Sequence, residues 1–266
     1  MKYMQNLIQY SLFPPIFQKY ARMNPWTAMA LYMSTIVLFA IFVSGRSLAH
    51  LQTALIIIVL GTALDYVLHR MHHTHQRSPP YSGFITSLIL VILLPTNTPI
   101  AVIFAAIILA IGSKHFLRIF DRHIFNPAAF GAALITLMFG TTLAWNADSF
   151  LWLVILLGAG NIWRVRKFWQ VGSFLAVYVT FLVFIGSIQH ITFYTLYFVP
   201  WFFALFMLTE PVTSPPRKHN EIIFGVVTGL TTIGFSYIPG FNSAALLWGL
   251  LTANLFRFIL PTRPNS

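Results

Sequence analysis

Apolar residues come in long runs along nearly the whole chain, separated by short polar stretches. The runs fall at 26–43, 49–68, 82–95, 98–113, 126–143, 149–163, 169–188, 192–209, 221–238 and 242–260. A helix needs about 20 apolar residues to cross the hydrocarbon core. The pattern therefore predicts an all-α polytopic membrane protein with about ten transmembrane helices. The third and fourth runs are short, as expected of helices that stop inside the protein around Pro95 and Pro99. Ahead of the first run, residues 1–25 interleave Leu7, Ile8, Leu12, Phe13 and Phe17 with Lys2, Gln5, Gln9 and Lys19. That segment lacks the uninterrupted apolar stretch of a signal peptide and reads as an interfacial N-terminal segment lying on the lipid bilayer.

The eighth run ends in an unusual way. Leu205 to Pro216 passes from apolar residues to Thr209, then Glu210, one of five acidic residues in the chain, and then Pro211. Proline removes a backbone donor and clashes with the preceding turn, so the helix breaks there. Thr209, Thr213 and Ser214 supply hydroxyls that either satisfy the freed backbone or bind a ligand. An ordinary helix end with a proline stop is the plain alternative. The first half has a counterpart in Leu93 to Pro99: Pro95 and Pro99 lie 116 positions before Pro211 and Pro215 (211 − 95; 215 − 99). The same offset carries Phe125-Asn126-Pro127-Ala128-Ala129 onto Phe241-Asn242-Ser243-Ala244-Ala245. A single ungapped offset through both motifs indicates a duplicated unit, with five-helix repeats at 26–143 and 149–260. Paired, proline-interrupted apolar segments in two halves point to broken helices near the midplane and a site between the repeats.

Composition and charge sharpen the picture. The chain of 266 residues is 58% hydrophobic and 8% charged, against about 25% charged in a soluble domain. Its net charge of +11 forms no stripe or aromatic-interleaved patch, which argues against nucleic acid as a partner. With the N-terminus in the cytoplasm, fifteen basic residues fall inside: Lys2, Lys19, Arg22, Arg70, Arg77, Lys114, Arg118, Arg122, Arg164, Arg166, Lys167, Arg217, Lys218, Arg257 and Arg263. Arg46 alone falls outside. The positive-inside rule then puts both termini in the cytoplasm and the protein in the cell (inner) membrane. Five spans per repeat is odd, so the second repeat is inverted. The chain has no cysteine, which excludes disulfides, thiolate zinc sites and cysteine-ligated clusters within it.

Asn126 stands at an N-cap and Pro127 in the first helical turn, which is good helix-start chemistry. Such a start aims N–H groups at an anionic or carbonyl-bearing ligand; a simple capped helix is the alternative. Glu210 is the better placed of the acids, because a carboxylate at a membrane helix break is costly unless partnered or used. Asp65, near the inner end of the second run, is expected to pair with Arg70 or the headgroups. The run His69, Arg70, His72, His73, His75 and Arg77 reads as a solvated basic loop more readily than a metal site, since one histidine box is present where several are needed.

Three of these motifs, in order and spacing, resemble the membrane subunits NqrB and RnfD of the sodium-pumping NADH:quinone reductase and the Rnf complex. They are Ser82-Gly83-Phe84-Ile85-Thr86-Ser87 running into Leu94-Pro95; Lys114 twelve residues before Asn126; and Thr209-Glu210-Pro211-Val212-Thr213-Ser214-Pro215, where that family usually has Asp in place of Glu. The resemblance implies a subunit that passes electrons through the membrane using flavin. The family's Ser-Gly-Ala-Thr attachment motif for FMN is missing, and the glycines usual after the lysine are replaced by Arg118, Ile119 and Asp121. What it implies here is therefore a non-covalent flavin, FMN or riboflavin, at the repeat interface, in contact with other membrane or cytoplasmic redox subunits. Lys114, Asn126, Pro127, Thr209, Glu210, Pro211, Thr213, Ser214, Pro215 and Asn242 are the expected cofactor-binding residues. Two alternatives stay open: a channel or carrier for a small solute on the same architecture, and a structural subunit with no ligand of its own.

Overall fold

The computed structural model describes residues 23–42, 48–72, 81–119, 122–188 and 198–260. Most of the expected interfacial segment, the histidines at 73 and 75, and the start of the eighth apolar run lie outside the described residues. The helices are α1 (Pro25–Phe42), α2 (Leu48–His72), α3 (Tyr81–Leu93), α4 (Ile100–Phe116), α5 (Pro127–Phe139), α6 (Leu151–Val165), α7 (Phe168–Ile188), α8 (Lys218–Ser236) and α9 (Ala245–Phe256). A π-helical segment, Phe203–Met207, precedes the Pro211 break. The chain is an all-α polytopic membrane protein, with one exception that the apolar pattern did not predict. Two-residue strands β1 (Arg118–Ile119) and β2 (Arg122–His123) pair antiparallel between α4 and α5.

Length and hydropathy make Pro25–Phe42, His50–Met71 and Phe168–Ser187 long enough to cross a membrane. Helices α3, α4, α5 and α6 are apolar but shorter, and their ends show why. α3 stops before Pro95, and its freed carbonyls are taken up locally: Ala144 N–H donates to Leu93 O at 2.8 Å and Asn146 Nδ2 to Leu94 O at 3.3 Å. α5 starts at Asn126, whose side chain accepts from Ala129 N–H at 3.0 Å with Pro127 in the first turn, and it ends at Gly140 with φ 64°. Both ends follow ordinary capping chemistry.

The core is organised around the π segment. Phe174, Phe202, Phe203 and Phe206 are fully buried, and Phe203 lies 5.3 Å from the Phe174 ring and 6.3 Å from Trp145. Helix pairs approach through small residues, as membrane helices do. A Cβ on Gly131 of α5 would stand 2.6 Å from Ala106 O of α4, and one on Gly249 of α9 would stand 2.9 Å from Thr228 O of α8. Polar contacts tie many helix ends together at one end of the bundle: Arg164 to Met23, Lys114 to Asp65, His123 to Glu210, Asn126 to Asn254, and Lys167 to Glu221.

Gly131→Val should therefore drive a branched side chain into the α4 backbone and cost about 1–3 kcal/mol. This is readable as a lower thermal midpoint in detergent. Gly172→Ala, with no atom within 4 Å of its added Cβ, should leave the midpoint unchanged.

Candidate functional site

Breaking a helix at Pro211 frees backbone carbonyls, and those of the buried residues Leu205 to Thr209 must find partners within the protein. Six side chains from other elements take them up. Asn161 Nδ2 donates to Leu205 O at 2.8 Å, Asn126 Nδ2 to Met207 O at 3.4 Å, and Gln170 Nε2 to Leu208 O at 2.6 Å. Arg257 donates to Val212 O, Asn254 Nδ2 to Thr213 O at 3.3 Å, and Lys167 Nζ to Pro215 O. The Leu208 N–H reaches back five residues to Phe203 O at 2.9 Å, the bond that defines the π turn. Such turns mark functional sites more often than ordinary helix does.

Against this braced segment lies a cavity of about 310 Å³, within the size class of small-molecule pockets, roughly 300–1,000 Å³. Trp26 and Met29 of α1, Ile85 of α3 and Phe206 give it apolar walls. Its polar lining comes from Ser82, Thr86, Asn126, Asn161, Arg164, Thr209 and Glu210. Asn126 also receives structure from across the chain, since its N–H donates to Asn254 Oδ1 at 2.9 Å. Its side chain caps Ala129 and Pro127 has no N–H, which leaves the N–H of Ala128, itself a lining residue, as the first-turn donor not used in capping.

Five of the ten residues expected from the sequence meet at this cavity: Asn126, Pro127, Thr209, Glu210 and Pro211. The other five lie elsewhere. Lys114 turns onto Asp65, with Nζ 2.6 Å from Oδ1, and His115 Nε2 reaches the same oxygen at 2.8 Å. Asp65 thus pairs with α4 and not with Arg70, which stacks on Tyr66. Thr213 donates its hydroxyl to Glu210 Oε2 at 2.9 Å. Ser214 is buried beside it, and Pro215 is held through its carbonyl by Lys167. Asn242 is exposed and its side-chain oxygen accepts from Ser243 N–H; it is not among the cavity's lining residues, so the second half's copy of the Asn126 helix start does not reach the site. Pro95, expected to share a seam with Pro211, is not among the cavity's lining residues; its break is satisfied by Ala144 and Asn146 instead.

The residues that sequence reasoning missed are Trp26, Asn161, Arg164 and His123. Asn161 had a visible signal, an amide inside an apolar run. Arg164 was hidden among the basic loop charges. Its Nη1 donates to Met23 O at 2.6 Å while it lines the cavity. At the bundle end nearby, burial pulls the Lys167 ammonium below its ordinary range, partly offset by Glu221 at 3.0 Å.

Residues 17–152, about half of the chain, match the model of the NQR2, RnfD, RnfE family. The chain belongs to that family. It is an Rnf/Nqr-type integral membrane subunit. No curated protein matches the chain. The family match includes Ser82, Thr86, Asn126 and Pro127 of the cavity but ends before Asn161, Arg164 and the Thr209–Pro215 segment.

For this NQR2, RnfD, RnfE family member, the geometry gives Lys114 a structural task. Lys114→Met should leave a buried carboxylate short of its partner and destabilise the fold by about 3–5 kcal/mol. The double variant Asp65→Asn/Lys114→Met should recover most of that loss in detergent unfolding. Asn161→Leu, which strips donors from Leu205 O and Thr209, should cost about 1–3 kcal/mol in the same assay.

Proposed function

We propose that this Rnf/Nqr-type subunit binds a flavin, FMN or riboflavin, non-covalently in the Trp26–Asn126–Glu210 cavity. It relays electrons there between a cytoplasmic donor and an acceptor in the membrane or beyond it. The observation that carries the reading is the character of the cavity: aromatic and aliphatic walls with a few convergent polar groups, the usual make-up of a cofactor site. Its size and lining fit a flat, mostly apolar ring with polar edges. Trp26, Met29 and Phe206 would cover the ring faces. Ala128 N–H, Asn126 and Arg164 would donate to the ring oxygens and nitrogens or to the ribityl chain, and Glu210 would accept.

When bound, a flavin supplies one- and two-electron redox chemistry that the side chains lack. The chain's own work is to hold the ring, to exclude water with the buried π segment, and to place positive charge nearby. Arg164 on the wall and the start of α5 both favour a ligand that gains negative charge. The carbonyls of the break are already engaged, so ligand contacts fall to side chains and not to the backbone around Pro211. The inverted five-helix repeat belongs to the same proposal. It is supported by the close packing of α4 on α5 and of α8 on α9, the helix pairs that the offset of 116 relates. The clustering of Lys114, His123, Arg164, Lys167 and Arg257 at one bundle end supports a cytoplasmic placement of that end, beside other redox subunits.

Purified protein should bind about one flavin per chain, with quenched flavin fluorescence. Arg164→Gln should weaken binding about tenfold or more, since hydrogen bonds to charged groups contribute roughly 1.5–3 kcal/mol. A colourless protein that takes up neither FMN nor riboflavin would contradict the reading. Solute flux in proteoliposomes without a redox partner would replace it with that of a carrier.

A further inference from the structure

We propose that Glu210 and His123 form a proton-accepting pair that couples proton uptake to reduction of the cavity's ligand. This rests on the flavin reading above and adds a role for the chain's own residues. Glu210 is the one carboxylate among the residues lining the cavity. Both of its oxygens are oriented from behind: Oε1 lies 3.1 Å from His123 Nε2, and Oε2 accepts the Thr213 hydroxyl at 2.9 Å. His123 is not among the cavity-lining residues. It sits on β2 next to exposed Arg122, at the end of the bundle, with its side chain 9% exposed. A carboxylate facing a ligand with an imidazole behind it, leading toward solvent, is an arrangement suited to proton transfer.

Among the described residues, the charged groups acting on the pair are cationic. Lys114 of α4 and Arg257, at the end of α9, both act electrostatically on Glu210, and Arg164 lies on the same cavity wall. Arg118 pairs across the hairpin with His123. Among the described residues, Asp65 is another acid on this side, and it is engaged by Lys114 and His115. Two electrons delivered singly by a low-potential donor protein would place negative charge in contact with the Glu210 carboxylate. The balance is then two electrons and one proton onto the ring, with a second proton bound by the Glu210–His123 pair. That second proton enters through His123 and is released when the ring is reoxidised. By linkage, a proton bound more tightly after reduction makes the midpoint potential depend on pH. Glu210 touches the ligand; His123 acts through it as a positioning and proton-exchanging residue.

The test is a redox titration of the full chain loaded with FMN or riboflavin, with dithionite as reductant, across the neutral pH range. The wild-type midpoint potential should fall with pH along a line that bends where the pair stops taking up its proton. The slope should change there by about 30 mV per pH unit, the value for one proton in a two-electron couple. Glu210→Gln should abolish the bend while flavin is still bound, and His123→Gln should abolish or displace it. Glu210→Asp, which keeps a carboxylate, should retain it. A bend unchanged in both Glu210→Gln and His123→Gln, with flavin bound in each, would overturn this inference alone. Failure of the wild-type protein to bind flavin would overturn it together with the proposed function. If Glu210→Gln does not fold, the His123→Gln titration decides.

Discussion

A helix broken inside a membrane must find partners for its carbonyl oxygens, and most of this structure follows from how that need is met. Leaving such a group unpaired away from water costs several kcal/mol. Here Asn161, Asn126, Gln170, Asn254, Lys167 and Arg257 each extend a donor to the segment between Leu205 and Pro215. Those donors come from α6, α9 and the loops or helix starts beside α5, α7 and α9. The break is therefore held from several sides at once. The short helices are shaped by the same need, since a polar turn is tolerated where protein, and not lipid, surrounds it.

A braced break leaves fewer groups for a ligand than an open one. The hydroxyl of Thr209 already donates to Leu205 O and Phe206 O and accepts from Asn161, and Thr213 is committed to Glu210. What remains toward the cavity is a set of side chains on rigid elements: Trp26, Ser82, Asn126, Arg164 and Glu210. Two ion pairs, Lys114 with Asp65 and Lys167 with Glu221, anchor the neighbouring helix ends. Charge near the cavity is thus separated into pairs that brace the fold and groups that face the cavity.

The apolar pattern made the architecture legible because a membrane leaves little choice of secondary structure. The predicted run at 26–43 became Pro25–Phe42, and the run at 169–188 became Phe168–Ile188. Proline gave away the Pro211 break, and the Asn126-Pro127 helix start was readable from capping chemistry alone. The rest depended on tertiary partners that sequence spacing does not encode. Lys114 looked like a ligand-facing cation until α2 supplied Asp65, and Asn242 looked equivalent to Asn126 until its side chain proved exposed. His123 lay in a stretch with no periodic signal, and a two-stranded hairpin carries it to Glu210. Pro95, matched to Pro211 by offset, has its own local partners in Ala144 and Asn146, so the likeness of the two breaks does not extend to a shared cavity.

We propose that one cavity, bounded by the start of α5 and the braced Pro211 break, holds the redox ligand. A cryo-electron microscopy map of the protein in lipid nanodiscs with added flavin tests it most directly. Planar density is expected between Trp26 and Phe206, with Arg164 and Glu210 at its edges and the six donors in place along Leu205 to Pro215. Density at the Pro95 break or on the lipid-facing surface, with the Trp26–Glu210 cavity collapsed or filled by side chains, would contradict it.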